Sequence, residues 1–169
     1  MNLFKLNKFH RLVSLLLFMF FKTAHAIDTD SVWSKLWGKP EPRPILGLGM
    51  WSYHLKHESQ DMDNSRNDLI GFSYRGLFAA TFINSENRRS YAAGVQRYWL
   101  TDPLTPDLSW QLGYRLGLIY GYDEKLGHFA SVSPVIPFPQ LISDLTWKNV
   151  GWEISYTWVV LSTSFYVRF

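Results

Sequence analysis

Hydrophobic and polar residues alternate with a period of two along most of the chain beyond residue 44. The clearest case is the stretch 110–121, where even-numbered positions are Trp, Leu or Tyr and odd-numbered positions are Gln, Gly, Arg or Ile. Successive side chains of a strand point to opposite faces, so this pattern predicts a β-strand with one apolar face. The hairpin Gly76–Trp99 shows the same alternation on both arms, around the polar turn 84–90.

The alternation predicts eight strands, at approximately residues 45–56, 69–74, 77–83, 91–99, 110–120, 138–147, 150–157 and 161–169. An even number of amphipathic strands of this length is typical of a transmembrane barrel. We therefore predict an all-β fold: an eight-stranded antiparallel up-and-down transmembrane β-barrel over residues 45–169. A secreted barrel of the lipocalin type is the alternative, but its outward faces would be polar, whereas these are rich in Trp, Tyr, Phe and Leu.

The first 26 residues have the pattern of a secretory signal peptide. The basic residues Lys5, Lys8 and Arg11 precede the short apolar run Leu12–Phe21, and residues 24–26 have the A-x-A form of a cleavage site. The apolar run is shorter than the roughly 20 residues that a membrane-spanning helix needs. We expect cleavage after Ala26; an uncleaved N-terminal anchor is the alternative.

Residues 27–44 are expected to form a short amphipathic helix and a proline-rich linker. Trp33, Leu36 and Trp37 are spaced at i, i+3 and i+4, which gives a helix one apolar stripe. Gly38 and the prolines that follow it would end the helix. Such a helix can lie on a membrane surface or pack on a protein core.

Removal of residues 1–26 changes the charge balance. That segment contains four of the 17 Lys and Arg residues and no acid, so 13 basic residues remain against 14 acidic ones. The basic character of the whole chain therefore gives no reason to expect nucleic acid as a partner. The chain has no cysteine, and its aromatic content of 17% fits the aromatic girdles of a membrane barrel. We expect a monomer in the bacterial outer membrane.

Loop lengths predict the orientation of the barrel and the lining of its interior. Long loops of outer-membrane barrels lie outside the cell, which places 56–68 and 121–137 there. The upper interior is then expected to be small or apolar, lined by Gly71, Ala79, Ala92, Gly94, Gly117 and Ile119. The lower interior is expected to be polar, with Gln96, Gln111, Arg115, Glu153 and Arg168, and with Arg115 and Glu153 as an ion pair. The small upper residues indicate either an apolar cavity or simple packing against bulky neighbours.

Candidate chemistry lies near the upper rim. His54, Asn84 and Ser85 all fall at strand ends there, and a histidine and a serine at one mouth are suited to acyl transfer. Arg88 and Arg89 in the same loop are candidates for phosphate contacts. We find no metal-ligand spacing and no nucleophile or phosphate-loop motif.

Four stretches in this order resemble one known family. They are the helix with SVWSKLW, the stretch Tyr53–Lys56, the strand GLFAATFINS and the proline-interrupted VSPVIPFPQLIS. Over most of its length the mature chain resembles the lipid A palmitoyltransferase (PagP) family of outer-membrane barrels. The resemblance implies transfer of a palmitoyl chain from a phospholipid donor to lipid A of lipopolysaccharide, with no cofactor and no metal. It also implies sideways entry of lipid where Pro134, Pro137 and Pro139 interrupt the strand ladder.

Two residues depart from the family pattern. The family's rim trio is His, Asp and Ser; His54 and Ser85 match it, while Asn84 replaces the acid and cannot carry its charge. Gln96 stands where the family has a glycine at the floor of its acyl-chain pocket, so a shorter acyl chain, or none, is expected. The alternatives are a non-catalytic barrel for adhesion or lipid binding, and a lipid A deacylase, for which His54-Leu55-Lys56 does not supply the usual His-x-Ser motif.

Overall fold

The computed structural model describes residues 29–55, 64–122, 135–158 and 160–169. The elements in these residues are α1 (Thr29–Trp37), β1 (Ile45–His54), β2 (Ile70–Tyr74), β3 (Leu77–Ile83), β4 (Arg89–Pro103), β5 (Leu108–Tyr120), β6 (Val135–Trp147), β7 (Val150–Tyr156) and β8 (Val160–Arg168). The chain divides into two compact units, 1–35 and 36–169, and the second contains all of these strands. The predicted signal peptide lies outside the described residues, as does Pro134.

The eight strands form a closed antiparallel barrel, which confirms the predicted fold class. Each strand pairs with the next one along the chain, and β8 closes the ring against β1. We call the end of the barrel where β1 reaches His54 the rim end. The opposite end, with the tight turns at Arg75–Gly76 and Lys148–Asn149, is the base end.

The two faces of the barrel wall differ sharply in polarity. Large apolar side chains are exposed on the outside, among them Leu77 at 64%, Trp147 at 60% and Phe165 at 50%. Charged side chains are buried inside, with Asp144 at 1% and Arg168 at 2% exposure. This is the reverse of a water-soluble barrel wall. Among the described residues, no helix is both long enough and apolar enough to cross a membrane.

A β-bulge in β1 decides which side chains of that strand face inward. The pairing with β8 shifts between Leu48 and Met50, and Gly49 at this point has φ +64°, a backbone conformation that glycine adopts without strain. Odd-numbered Ile45 faces inward before the bulge, and even-numbered Met50 packs in the core after it. The bulge therefore brings the even positions up to His54 onto the inner face.

The interior has an apolar layer toward the rim end. Its buried residues are Phe78, Phe82 and Ala92, and the partly buried side chains packed against them are Met50, Leu69, Ile119, Tyr122 and Phe138. The prediction that Ala79 faces inward is wrong. Ala79 is exposed and pairs with exposed Ala93, while Phe78 and Phe82 occupy the inner face of β3. Burial of two phenylalanine rings decided the side, since β3 is apolar on both faces.

Two of the small inward residues predicted for this layer, Gly94 and Gly117, leave no room for a side chain. A methyl group at Gly117 would lie 2.5 Å from the Ala93 carbonyl oxygen, 2.9 Å from the Phe78 ring and 3.0 Å from the Phe138 ring. At Gly94 it would overlap the backbone of Leu116 and Gly117 on the neighbouring strand. Phe78 and Phe138 themselves meet edge to face, with centroids 6.0 Å apart. Of the two interpretations drawn from the sequence, packing against bulky neighbours describes the surroundings of Gly117.

The predicted sixth strand is longer than expected. β6 begins at Val135 and includes Pro137 and Pro139, which pair with Leu118 and Leu116 of β5. Both prolines lie in the part of β6 whose β7 side has no partner among the described strands, where a missing N–H removes no ladder bond. Proline was therefore compatible with strand at this place.

Candidate functional site

The apolar layer ends at a polar layer that extends toward the base end. Arg115 donates to both carboxylate oxygens of Glu153, at 3.1 and 2.8 Å, which confirms the ion pair predicted from the sequence. The same guanidinium donates to the side-chain oxygens of Gln96 and Gln140 at 2.7 and 2.8 Å. Two charges so deep in a protein need this kind of paired, hydrogen-bonded arrangement. The layer is thus a connected network.

Gln96 lies at the junction of the two layers. It is 3% exposed, and its Nε2 donates to the Tyr98 hydroxyl at 2.5 Å. The guanidinium of Arg115, which Gln96 accepts from, lies 5.1 Å from the centroid of the Phe78 ring. An elongated ligand that enters the barrel from the rim end would therefore meet Phe78 first and then Gln96 and Arg115.

Further toward the base end, the network continues through a tyrosine, an aspartate and an arginine. Tyr98 donates to Asp144 at 2.5 Å. Arg168 donates to the side-chain oxygen of Gln111 and to the Tyr166 hydroxyl, and lies 3.6 Å from Glu41. Of the predicted polar residues of the lower interior, Arg115 is partly buried and the other four are buried: Gln96, Gln111, Glu153 and Arg168. The sequence did not single out Tyr98, Asp144, Tyr166 or Glu41, which are buried beside them.

Asn84 is fully buried and holds the turn between β3 and β4. Its Oδ1 accepts from the backbone N–H groups of Glu86 and Arg88, both at 2.9 Å. Its Nδ2 donates to the Ser90 hydroxyl at 3.0 Å and to the Gly121 carbonyl at 2.8 Å. These partners require an amide, because a carboxylate has no donor for the Gly121 carbonyl. Asn84 is therefore a structural residue of this turn as well as a candidate site residue.

Ser85 follows Asn84 in the same turn and is also buried, at 6% exposure. The turn is closed by backbone hydrogen bonds between residues 84 and 88, and Asn87 adopts the left-handed conformation with φ +63°. Asparagine tolerates that conformation better than most residues. The local sequence thus fixes the backbone that carries Ser85.

His54 lies at the same end of the barrel as Ser85, on the inner face of β1. Its neighbours Tyr53 and Leu55 are exposed, while His54 is half-buried. The segment 64–67 runs between β1 and β3: Ser52 donates its backbone N–H to Ser65, and Asn64 donates its side-chain N–H to the Asn84 carbonyl. Because one segment lies between them, the backbones of β1 and β3 are separated by two strand spacings, which is about 10 Å. The structure thus brings His54, Asn84 and Ser85 to one mouth.

The segment 64–67 belongs to the predicted long loop 56–68; Ser65 and Arg66 are exposed as expected of such a loop, but Asn67 is buried. Asn67 is 2% exposed, its backbone N–H donates to the Met50 carbonyl, and its Nδ2 donates to the Ile83 carbonyl at 2.8 Å. β2 begins at Ile70, which pairs with Leu48, so the last part of β1 up to His54 has no β2 partner. The bonds of Asn67 fill this space between β1 and β3. A polar asparagine in a polar stretch gave no periodic signal for this role.

The rim also carries charged groups. Glu86 accepts from Arg88 at 2.7 Å, and Arg89 is exposed at the start of β4. Tyr122 is packed under this turn, where its burial and the nearby Glu86 raise its pKa to about 12. Its hydroxyl therefore stays protonated at neutral pH. In the described part of the chain, no group of His, Asp or Glu side chains is arranged to hold a metal ion.

Among the described residues, the barrel wall has a break between β6 and β7 at the rim end. The last pair that joins them there is Leu141 with Tyr156, so residues 135–140 of β6 pair with β5 alone among the described strands. Six residues of strand span about 20 Å. The predicted gate residues Pro137 and Pro139 both lie in this stretch, with Phe138 between them facing the apolar layer.

These features define a class of protein: a small closed β-barrel with an apolar outer wall, a filled polar base and one mouth that carries His54 and Ser85. In comparisons with known proteins, no protein-family model and no curated protein matches the sequence.

Proposed function

We propose that this chain is an outer-membrane acyltransferase that moves a fatty acyl chain from a phospholipid to lipid A of lipopolysaccharide. The observation that carries the proposal is the break in the wall between β6 and β7, which opens beside the apolar layer at the end with His54 and Ser85. A lipid chain in the surrounding bilayer would need such an opening to reach the interior without crossing water. The apolar outer wall supports placement in a membrane.

The proposed step is an acyl transfer between two oxygens. His54 acts as general base and takes the proton from an acceptor hydroxyl of lipid A as that oxygen attacks the ester carbon of the phospholipid. The new C–O ester bond forms, the old one breaks, and the imidazolium returns the proton to the departing lysophospholipid alcohol. Ser85 positions the reacting hydroxyl or the developing oxyanion. The separation of about 10 Å between the two backbones leaves room for the substrate group between the side chains.

Asn84 acts in this proposal by positioning rather than by charge. Its four side-chain hydrogen bonds hold the turn that carries Ser85. The acid of the resembled family would be a poor substitute in this chain, because Gly121 offers a carbonyl at that place. The Phe78 ring and the layer of Gln96 and Arg115 beneath it favour an acyl chain shorter than palmitoyl.

The test is mass spectrometry of lipid A from a Gram-negative host that lacks its own lipid A palmitoylation. Expression of the chain is expected to add one acyl chain, and both His54→Ala and Ser85→Ala are expected to abolish the addition. Ser109→Ala, at the base end of β5, is the matched serine control and should leave the addition intact. Absence of any added acyl chain, in every growth condition and with the folded barrel in the membrane, rejects the proposal.

A non-catalytic lipid-binding barrel is the second candidate. Phe78, Phe82 and Phe138 occupy the interior where a long acyl chain would lie, which favours a packed core over a substrate tunnel. This candidate predicts that His54→Ala and Ser85→Ala leave lipid A unchanged and that deletion within the loops 56–68 or 121–137 abolishes binding. The same lipid A spectra therefore separate the two functions.

A further inference from the structure

The outer wall of the barrel has a shallow apolar groove of about 350 Å³ on its β3–β5 side. Its floor is formed where two outward alanines, Ala79 and Ala93, pair across β3 and β4. Around them stand three larger side chains, Tyr91, Tyr120 and Leu118, each slightly more than half exposed. The volume is at the lower end of the range for ligand sites in proteins.

A cationic side chain lies directly above the groove. Arg89, Tyr91 and Ala93 follow one another on the outward face of β4, so Arg89 is about 7 Å above the tyrosine and about 13 Å above the floor. Arg89 is exposed and, among the described residues, takes part in no ion pair. Arg88, which pairs with Glu86, is adjacent in the same turn.

This combination matches the two ends of a lipid. An apolar slot accommodates a hydrocarbon chain by close packing, since contact with a concave wall gives more dispersion energy than contact with a flat one. A guanidinium at the top recognises a phosphate through paired hydrogen bonds, and the tyrosine hydroxyls between them suit the interfacial region.

We propose that this groove binds one acyl chain of lipopolysaccharide, with Arg89 on a lipid A phosphate. The choice of lipopolysaccharide rests on the proposed outer-membrane placement, in which the rim end faces the outer leaflet that this lipid forms. The groove lies on the outer face of β3, β4 and β5 and reaches Val135 of β6, while the break is on the other side of β6, toward β7. It therefore holds a lipid from outside the barrel and does not depend on the acyl-transfer chemistry at the mouth.

The experiment is photo-crosslinking in cells with the full-length chain. Tyr120 is replaced by benzoylphenylalanine, and the same residue is placed at Leu161, an outward position on β8 across the ring from β4. After irradiation, adducts are detected with an antibody to lipid A. We expect several-fold more adduct from position 120 than from position 161.

Two substitutions made in the position-120 background complete the test. Arg89→Ala removes the phosphate contact and Ala93→Trp fills the floor; each is expected to lower the adduct to the level of position 161. Arg75→Ala, an exposed arginine at the base end, should leave it unchanged. If Ala93→Trp prevents folding, the exposed Arg89→Ala variant still decides the question.

Equal adducts at positions 120 and 161 would overturn the proposal, because they indicate ordinary contact with the bilayer. Adducts that consist mainly of phospholipid, or that survive Arg89→Ala, would also overturn it. Ser85→Ala is expected to crosslink as well as the parent chain. A failure of the acyl-transfer proposal and a failure of the proposed lipid binding in the groove would therefore give different results.

Discussion

Removal of one partner of the buried ion pair in the polar layer should destabilise the barrel strongly. The side chains of Arg115 and Glu153 are 18% and 9% exposed, and two hydrogen bonds join them. Arg115→Met leaves the Glu153 carboxylate buried without its cation and takes a donor from both Gln96 and Gln140. Loss of one partner from a buried pair costs about 3–5 kcal/mol. We expect the upper part of that range.

The assay is urea-induced unfolding of the barrel in phospholipid vesicles, followed by tryptophan fluorescence. A loss of about 4 kcal/mol lowers the folded-to-unfolded ratio by roughly a thousandfold, which is far above the error of the extrapolation. The matched control is the exposed pair of Arg66 and Asp68, whose nitrogen and oxygen lie 3.0 Å apart. Arg66→Met should cost less than about 1 kcal/mol, because solvent screens that pair.

The double variant Arg115→Met with Glu153→Gln isolates the coupling between the two groups. Because the uncompensated charge is gone, the double variant should lose less stability than the two single variants combined. If Arg115→Met costs no more than Arg66→Met, or if the two single effects are additive, the layer is not held together by this pair.

Three further substitutions test the turn, the apolar layer and the hydrogen-bond network. Asn84→Asp is expected to lower the melting temperature measured by calorimetry, because a carboxylate cannot donate to Ser90 and Gly121. Lipid A mass spectrometry is expected to show no more acylation by this variant than by the parent chain. Gly117→Ala is expected to cost about 1–3 kcal/mol in urea unfolding, because the added methyl group meets the Ala93 carbonyl oxygen and the Phe78 ring. Tyr98→Phe is expected to cost about 1–3 kcal/mol in the same assay, because Asp144 loses its donor.

Each of these has a control of the same chemistry. Asn87→Asp changes an exposed amide in the same turn and should be nearly neutral. Phe78→Leu should relieve part of the cost of Gly117→Ala, and Tyr91→Phe, on the outer wall, should cost little. A stable, more active Asn84→Asp variant would show that the turn does not need the amide. A neutral Gly117→Ala or Tyr98→Phe would contradict the packing or the hydrogen bond described for that residue.

The fold was predictable because one physical requirement, an apolar outside and a polar or small inside, repeats in nearly every strand. This requirement predicted correctly which side chains of β5 face inward between Trp110 and Tyr120. It also predicted that Arg115 and Glu153 face inward and lie close together. The prediction placed the wrong face of β3 inside the barrel. Leu77–Ile83 is apolar at almost every position, so periodicity cannot decide between its two faces. Ala79 was placed inside for that reason.

The site was predictable in position but not in detail. His54 and Ser85 could be assigned to one mouth from strand direction alone. The inward facing of His54 also depends on the bulge at Gly49, for which a single glycine is a weak signal. The hydrogen-bonding role of Asn84 depends on Gly121, 37 residues away, and no local pattern shows such a contact.

The polar layer also bears on permeability. Hydrogen bonds join strands that are not neighbours in the ring, Arg115 of β5 with Glu153 of β7 and Arg168 of β8 with Gln111 of β5. Such bonds cross the lumen and narrow any passage for water and ions. A barrel of this kind would conduct no measurable current in a planar bilayer. In the outer membrane proposed above, many copies could then be present without weakening that membrane as a barrier to antibiotics.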